Sequence, residues 1–253
     1  MVKFKYTLKL IIDIGNSLIK IGLFQEKNKV RSKEFQNINL AKVKDFVQDQ
    51  PIVKAILSSV REIDKDILGV VNYYKALVLD EHVSLPIKVN YKSPNTLGKD
   101  RLSGVVGASY LYPGNNILVL DFGTCLTIDF INKKKEYLGG RISPGLNMRY
   151  RALNEFTSKL PYCQFTEVDK FIGNDTVSSI HTGIQRGIIS EVYAIISEFK
   201  KENDDTIVIF TGGDCFFFEK EFKNSIFAHP FLIMVGLNAV SYTHLTLPTI
   251  LLV

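Results

Sequence analysis

The residues best suited to chemistry sit in glycine turns that each follow an aspartate at the end of an apolar run. In "IIDIGNSLIKIGLF", residues 11–24, Asp13 precedes a turn at Gly15-Asn16. A backbone folding back there presents consecutive N–H groups that can cradle phosphate oxygens, while the Asp13 carboxylate can hold a magnesium ion directly or through its water. Lys20, on the returning strand, can meet the same phosphates. One such turn is a weak signal, since an aspartate capping a bland turn is the commoner case. The pattern returns, however: the segment from Leu10 aligns with that from Leu118, with Asp13 over Asp121, Gly15 over Gly123 and Asn16 over Thr124. A third glycine turn ends "TIVIFTGGD", residues 206–214. Repetition tips the balance toward phosphate binding. No G-x-x-x-x-G-K-[ST] loop and no G-x-G-x-x-G fingerprint occurs, which argues against a P-loop or Rossmann nucleotide site.

Each echo reads as an apolar strand, a tight turn and a second strand alternating toward one face. Two such hairpins predict two similar domains, residues 1–114 and 115–253. Between the hairpins, 53–60 and 74–80 read as short buried strands separated by helix, and 206–214 as a buried strand entering its glycine turn. Ile180, Ile184, Ile188, Val192, Ile196 and Phe199 recur at helical spacing and predict a helix over 177–200. Within it, Gly183 and Gly187 leave a narrow column where another backbone can approach.

With 253 residues and 46% hydrophobic content, the chain can bury a sizeable core. The net charge of +5 is spread along it, and the one dense run, Lys133 to Lys135, reads as a solvated hairpin tip rather than a nucleic-acid surface. A mild positive balance suits small anionic ligands such as nucleotides. Cys125, Cys163 and Cys215 show no paired spacing, and the four histidines form no ligand pattern, so neither disulfides nor a structural zinc is expected. Apolar stretches are too short to span a bilayer, and Asp13 arrives before a secretory apolar region completes. The expectation is a soluble cytoplasmic protein without membrane or nucleic-acid partners.

The motifs "DIGNSLIK" (13–20), "NTLGKDRLSGVVGA" (95–108), "DFGTCLTID" (121–129), "YLGGRISPGL" (137–146) and "TGGD" (211–214), in this order, resemble those of the type III pantothenate kinases. That family lies in the acetate and sugar kinase, chaperone ATPase and actin superfamily, and the resemblance covers roughly residues 9 to 238. It implies an α/β fold of two ribonuclease-H-like domains with the active site in the cleft, a homodimer, and ATP-dependent phosphorylation of pantothenate, the first step of coenzyme A biosynthesis. It implies ATP with Mg2+ and a monovalent cation, K+ or NH4+, as cofactors.

Carried over by position, the resemblance makes Asp13, Ile14, Gly15, Asn16, Ser17, Leu18, Ile19 and Lys20 the first ATP-phosphate segment, with Ser17 where threonine is usual. Thr124 matches a second nucleotide-phosphate contact and Asp121 the monovalent-cation position. Tyr91, Gly98, Lys99, Asp100, Arg101 and Thr176 match pantothenate contacts, although Thr176 reads equally well as the N-cap of the long helix. Cys125 replaces an alanine and reads as a small buried hydrophobe. Gly139, Gly140, Pro144 and Gly145 are expected to shape the cleft floor. Asp100, just ahead of a helix anchored by Leu102, Val105 and Val106, is the candidate catalytic base; the competing reading has it capping that helix and pairing with Arg101. Segments 101–112 and 177–200 carry surplus apolar surface, consistent with a dimer. A kinase for another small alcohol would differ over 91–101. Against a non-catalytic transcriptional accessory factor stand Asp13, Asp100 and Asp121. The closing "SYTHLTLPTILLV" has no helical stripe and contains Pro248, so the tail from about residue 241 is expected to be foreign to the gene.

Overall fold

A computed structural model of the chain describes residues 7–222 and 226–243, so the expectation for the tail lies outside the described residues beyond position 243. Contacts group the chain into two units: Met1–Pro113 with Lys135–Tyr137 and Leu232–Val253, and Gly114–Lys134 with Leu138–Phe231.

The first unit contains β1 (Leu8–Ile14), β2 (Ile19–Gln25), β3 (Asn28–Phe35), α1 (Leu40–Val47), β4 (Ile52–Ser59), α2 (Lys65–Tyr74), β5 (Leu77–Val78), β6 (Lys88–Val89) and α3 (Lys99–Leu111). The second contains β7 (Ile117–Phe122), β8 (Cys125–Ile131), β9 (Glu136–Pro144), α4 (Leu146–Glu155), α5 (Thr176–Glu202), β10 (Ile207–Thr211), α6 (Cys215–Glu219) and β11 (Ile226–Ala228). The last helix, α7 (Leu232–Thr243), groups with the first unit, where the sequence reading assigns 115–253 to one block.

In the first unit the sheet order is β3-β2-β1-β4-β5, with β1 antiparallel to β2 and parallel to β4. Every residue of β1 is buried because both faces are covered. Leu8, Leu10, Ile12 and Ile14 share a core with Val43, Phe46 and Val47 of α1 and Ile67 and Val70 of α2. The alternate residues Lys9, Ile11 and Asp13 must then point to the opposite face. The strand expected over 74–80 shrinks to Leu77–Val78, because Tyr74 still ends α2 and Lys75 caps it in the left-handed region at φ 49°. β6 pairs in parallel with Glu136 and Tyr137, the two residues of β9 that group with this unit.

Helix α3 is buried from Arg101 to Ser109. Its partner is α7: a Cβ on Gly107 would fall on the Leu232 carbonyl, and one on Gly236 on the Ser103 carbonyl, so glycine lets the two backbones touch. The apolar surface of 101–109, part of the stretch expected to carry a surplus, is thus covered within its own unit, while Leu111 is exposed.

In the second unit the strands run β11-β10-β7-β8-β9. Leu118, Leu120, Phe122, Val208 and Phe210 form its core with Ile180, Ile184, Ile188, Val192 and Ile196, the predicted stripe of α5. The N-cap of α5 is Asp175, not Thr176. Asp175 Oδ1 accepts from Ser178 N at 2.9 Å while Ser178 Oγ accepts from Asp175 N at 3.2 Å, a reciprocal box that holds the Asp175 carboxyl below the ordinary aspartate range. Thr176 is the first helical residue. Among the described residues no backbone lies against Gly183 or Gly187: a Cβ on the first would meet nothing within 4 Å, one on the second only the Arg149 guanidinium at 3.9 Å. Lys133, Lys134 and Lys135 are exposed at the β8–β9 turn, as expected of a hairpin tip. Among the described residues no helix is long and apolar enough to cross a membrane.

Candidate active site

Asp13 to Lys20, Tyr91 and Gly98 to Arg101 fall on the first unit; Asp121, Thr124 and Thr176 fall on the second. In the first, the β1–β2 turn closes through Gly15 N–H donating to the Leu18 carbonyl at 3.0 Å, and Asn16, Ser17 and Leu18 are exposed. Ile14 and Ile19, by contrast, are core residues that anchor the turn. Asp13, 6% exposed, lies opposite Lys20 on β2 and beside Ser58 on β4. Register partners project to the same face, so the three strands present a row Lys20, Asp13, Ser58 at one sheet end. Lys20 Nζ lies 3.8 Å from Glu34 Oε1, a long, partly solvated pair. The Ser58 hydroxyl is fully buried and has no hydrogen-bond partner among the described residues, an exception to the rule for buried polar atoms. A carboxylate and an orphaned hydroxyl beside exposed turn amides and a lysine are hard oxygen donors with a phosphate cradle, and these residues fit a magnesium nucleotide.

Helix α3, which starts at Lys99, covers the same sheet face as α7 does. Its N-cap is Gly98, which contributes no side-chain bond. Asp100 therefore sits in the first turn rather than ahead of the helix, and is not its cap. Asp100 Oδ1 accepts the Arg101 backbone N–H at 2.8 Å, and Arg101 is 8% exposed. The Lys99 ammonium turns inward: it is buried, makes no hydrogen bond among the described residues, and lies 3.8 Å from Glu81 Oε2. Tyr91 is half-buried, its ring 5.9 Å from that of Tyr137.

In the second unit, Asp121 lies opposite Thr127 on β8 and beside Thr211 on β10. The turn between β7 and β8 is only Gly123-Thr124, and Gly145 N–H donates to the Thr124 carbonyl at 3.2 Å. Thr124 is exposed. Gly212 has φ 92°, and a Cβ there would collide with Asp121 Oδ1, so only glycine lets the third turn close over this carboxylate. Gly140 and Gly145 likewise admit the carbonyls of Ile128 and Thr124. Cys125 is half-buried rather than buried, because it opens β8 directly after the exposed Thr124. Thr176 edges an open hollow of about 570 Å³ with Leu153, Leu160, Asn174, Ser179 and Ile180.

Asp214 has no assigned role in the sequence reading. Its N–H donates to the Phe122 carbonyl at 3.1 Å, tying the third turn to the second, and burial pushes its carboxyl pKa upward. The signal was present in "TGGD": a carboxylate directly after a buried strand that neighbours β7. A larger hollow, about 770 Å³, lies elsewhere in the first unit at the C-terminal ends of α1 and α2, lined by Lys44, Lys54, Tyr73, Tyr74 and Lys75. Lysines there complement helix C-termini, and neither Asp13 to Lys20 nor Thr124 borders it.

Comparison with known proteins bears on this geometry. The family model for type III pantothenate kinase matches residues 9–198. The chain is 40% identical over 236 residues to the type III pantothenate kinase of Christiangramia forsetii, covering 92% of this chain and 97% of that one. It is 38% identical over 235 residues to that of Bacteroides fragilis strain YCH46, with the same coverage. Among solved structures, a Campylobacter jejuni protein described as a Baf family transcriptional activator aligns with TM-score 0.59 at 21% identity over 93% of this chain and 98% of that one. A Sinorhizobium meliloti protein described as a 2-dehydro-3-deoxygalactonokinase aligns with TM-score 0.60 at 10% identity over 94% and 100%. These structural likenesses show the fold, that of two ribonuclease-H-like α/β domains. The sequence matches go further: this chain belongs to the type III pantothenate kinase family.

Proposed function

We propose that the protein transfers the γ-phosphoryl group of ATP to the primary hydroxyl of pantothenate, giving 4'-phosphopantothenate, the first step of coenzyme A biosynthesis. The observation behind this reading is the row of Lys20, Asp13 and Ser58 beside an exposed amide turn, in a chain of this family. The exposed turn residues Asn16 to Leu18, together with Lys20, hold phosphate oxygens, with the Thr124 hydroxyl as a second anchor. Asp13 holds Mg2+ directly or through water; magnesium, when bound, offsets charge on the phosphates. Asp121, with hydroxyl-bearing register neighbours, supplies oxygen donors for K+ or NH4+. Tyr91, Gly98, Lys99, Arg101 and Thr176 receive pantothenate.

Phosphoryl transfer asks little covalent work of the protein, but the attacking hydroxyl must be oriented and must lose its proton. Asp100 takes that role. Its Oδ1 accepts the Arg101 N–H, so the carboxylate is held by the first turn of α3. Asp100→Asn keeps the shape and is expected to lower kcat by roughly 10²-fold or more with the thermal midpoint nearly unmoved; turnover within a few-fold of the parent moves the base elsewhere.

A coupled ADP-release assay tests the whole reading. Pantothenate-dependent release is expected, and release only with a different small alcohol would reassign the substrate. The transcriptional reading has the Campylobacter jejuni likeness behind it, which carries the fold alone, and pantothenate turnover would exclude a non-catalytic role. A homodimer in the cytoplasm completes the proposal. It rests on α5, where Ser179, Gly183, Ser190 and Ala194 form an exposed line of small residues and Tyr193 is 67% exposed. Light scattering that gives a monomer at micromolar concentration refutes it.

A further inference from the structure

Residues 156–175, which join α4 to α5, form neither helix nor strand. So long a connection inside a compact unit is functional or disordered as a rule. One side chain fixes its middle. Gln185, 2% exposed, donates through Nε2 to the Thr166 carbonyl at 2.8 Å and accepts through Oε1 from Val168 N–H at 3.2 Å. One backbone partner can only accept and the other only donate, so the amide has a single orientation. The second Nε2 hydrogen goes to the Tyr150 hydroxyl at 3.0 Å, and that hydroxyl lies 2.8 Å from His181 Nδ1, within hydrogen-bond distance. Val168, Gln185, Tyr150 and His181 thus form one continuous hydrogen-bonded row.

This relay stands inside an apolar core. Tyr150 is 2% and His181 6% exposed, and Tyr150 packs in the cluster that holds Leu146, Ile180 and Ile184. Apolar side chains could fill that space without the risk of an unmet polar group. What the polar groups add is position. They pin residues 166–168, while Asn154 Nδ2 donates to the Leu160 carbonyl at 2.9 Å nearer the start of the segment. The segment then reaches α5 at the Asp175 box. Leu160, Asn174 and Thr176 are thereby fixed as one wall of the hollow.

We propose that the Gln185–Tyr150–His181 relay is a positioning device for substrate recognition, holding 156–175 so that the hollow at the start of α5 presents Thr176 to pantothenate. The proposal rests on the reading that Thr176 contacts pantothenate.

Tyr150→Phe keeps the ring and removes the oxygen that joins Gln185 to His181. The expected result is a pantothenate KM raised about tenfold with kcat and the ATP KM within about twofold of the parent. Amide hydrogen exchange across 160–176 of the substrate-free protein should quicken as well. His181→Leu should behave alike, whereas His181→Asn, which keeps an acceptor near the Nδ1 position, should hold the parent KM. Gln185→Met carries the same expectation as Tyr150→Phe and serves if that variant does not fold. Unchanged exchange, an unchanged pantothenate KM, or losses in kcat and both KM values that merely follow the thermal midpoint overturn the proposal. If Thr176→Val leaves the pantothenate KM unchanged while Tyr150→Phe raises it, the Thr176 reading falls and the relay stands, acting on another part of the wall.

Discussion

The two aspartate hairpins are echoes in sequence and differ in what surrounds the carboxylate. Asp13 sits between Lys20 and Ser58, Asp121 between Thr127 and Thr211, each at the end of a central strand. The first turn spans residues 15–18 with an exposed tip; the second is Gly123-Thr124, bonded by Gly145 N–H and closed over by Gly212. One strand-turn-strand device has thus taken two forms. The longer turn brings an exposed tip and an ammonium, which suit phosphates. The tighter one brings a carboxylate among hydroxyls inside converging turns, which suits a weakly held cation.

The strongest way to break that contrast is to neutralise each carboxylate in turn. Asp13→Asn is expected to lower kcat by about 10³-fold, the scale of removing a main electrostatic contact to the transferring group. Asp121→Asn should cost only about tenfold and should erase the rate difference between potassium and sodium buffers. If steady-state kinetics give equal losses with the same cation response, the two hairpins do the same work and the contrast fails.

A smaller effect separates the partners opposite each aspartate. Lys20→Met removes a charge-assisted contact and should raise the ATP KM about tenfold, whereas Thr127→Val, at the matching place on β8, should stay within about threefold. ATP titration of both variants measures this directly, and a larger loss from Thr127→Val reverses the assignment of phosphate to the first hairpin.

How much of this was legible without coordinates follows from the range of each signal. Both hairpins, the stripe of α5 and the lysine tip are local periodicities, and the structure reproduces them. The cap of α5 falls one residue before Thr176 because Asp175 and Thr176 are both good caps, and Ser178, at the position that completes the box, decides for Asp175. Asp100 reads from the sequence as lying ahead of α3 because Gly98, a cap without a side chain, leaves no mark of its own. Ser58 joins the row only through strand register. Gly236 meets Ser103 across most of the chain, so the shielding of α3 had no local trace.

The smallest expected effect concerns the inner face of the two central strands. In the alignment of the echoes, Lys9 of β1 falls on Ile117 of β7, which is 1% exposed. Lys9 is 6% exposed; its ammonium donates to Ser241 Oγ at 3.1 Å and lies over the Tyr242 ring. Lys54 donates to the Ser241 carbonyl at 3.1 Å, so two ammonium groups converge on the end of α7. Burial first, and Lys54 second, lower the Lys9 pKa from 10.5 to about 8. Between those two values the unfolded chain holds a proton that the folded chain has released, so stability rises with pH across that window, and below about 8 the cost of the buried charge is fully present. Lys9→Met removes the charge and keeps the length. It should raise the thermal midpoint by a few degrees at pH 7, and the gain should shrink toward pH 10 as the parent loses its own proton, while the Asp13 and Asp121 phenotypes stay as they are. Thermal melts of parent and variant at both pH values decide it. A gain of equal size at each pH would mean that Lys9 acts through packing against Tyr242 rather than through charge, and that the first strand tolerates an ammonium where the second requires isoleucine.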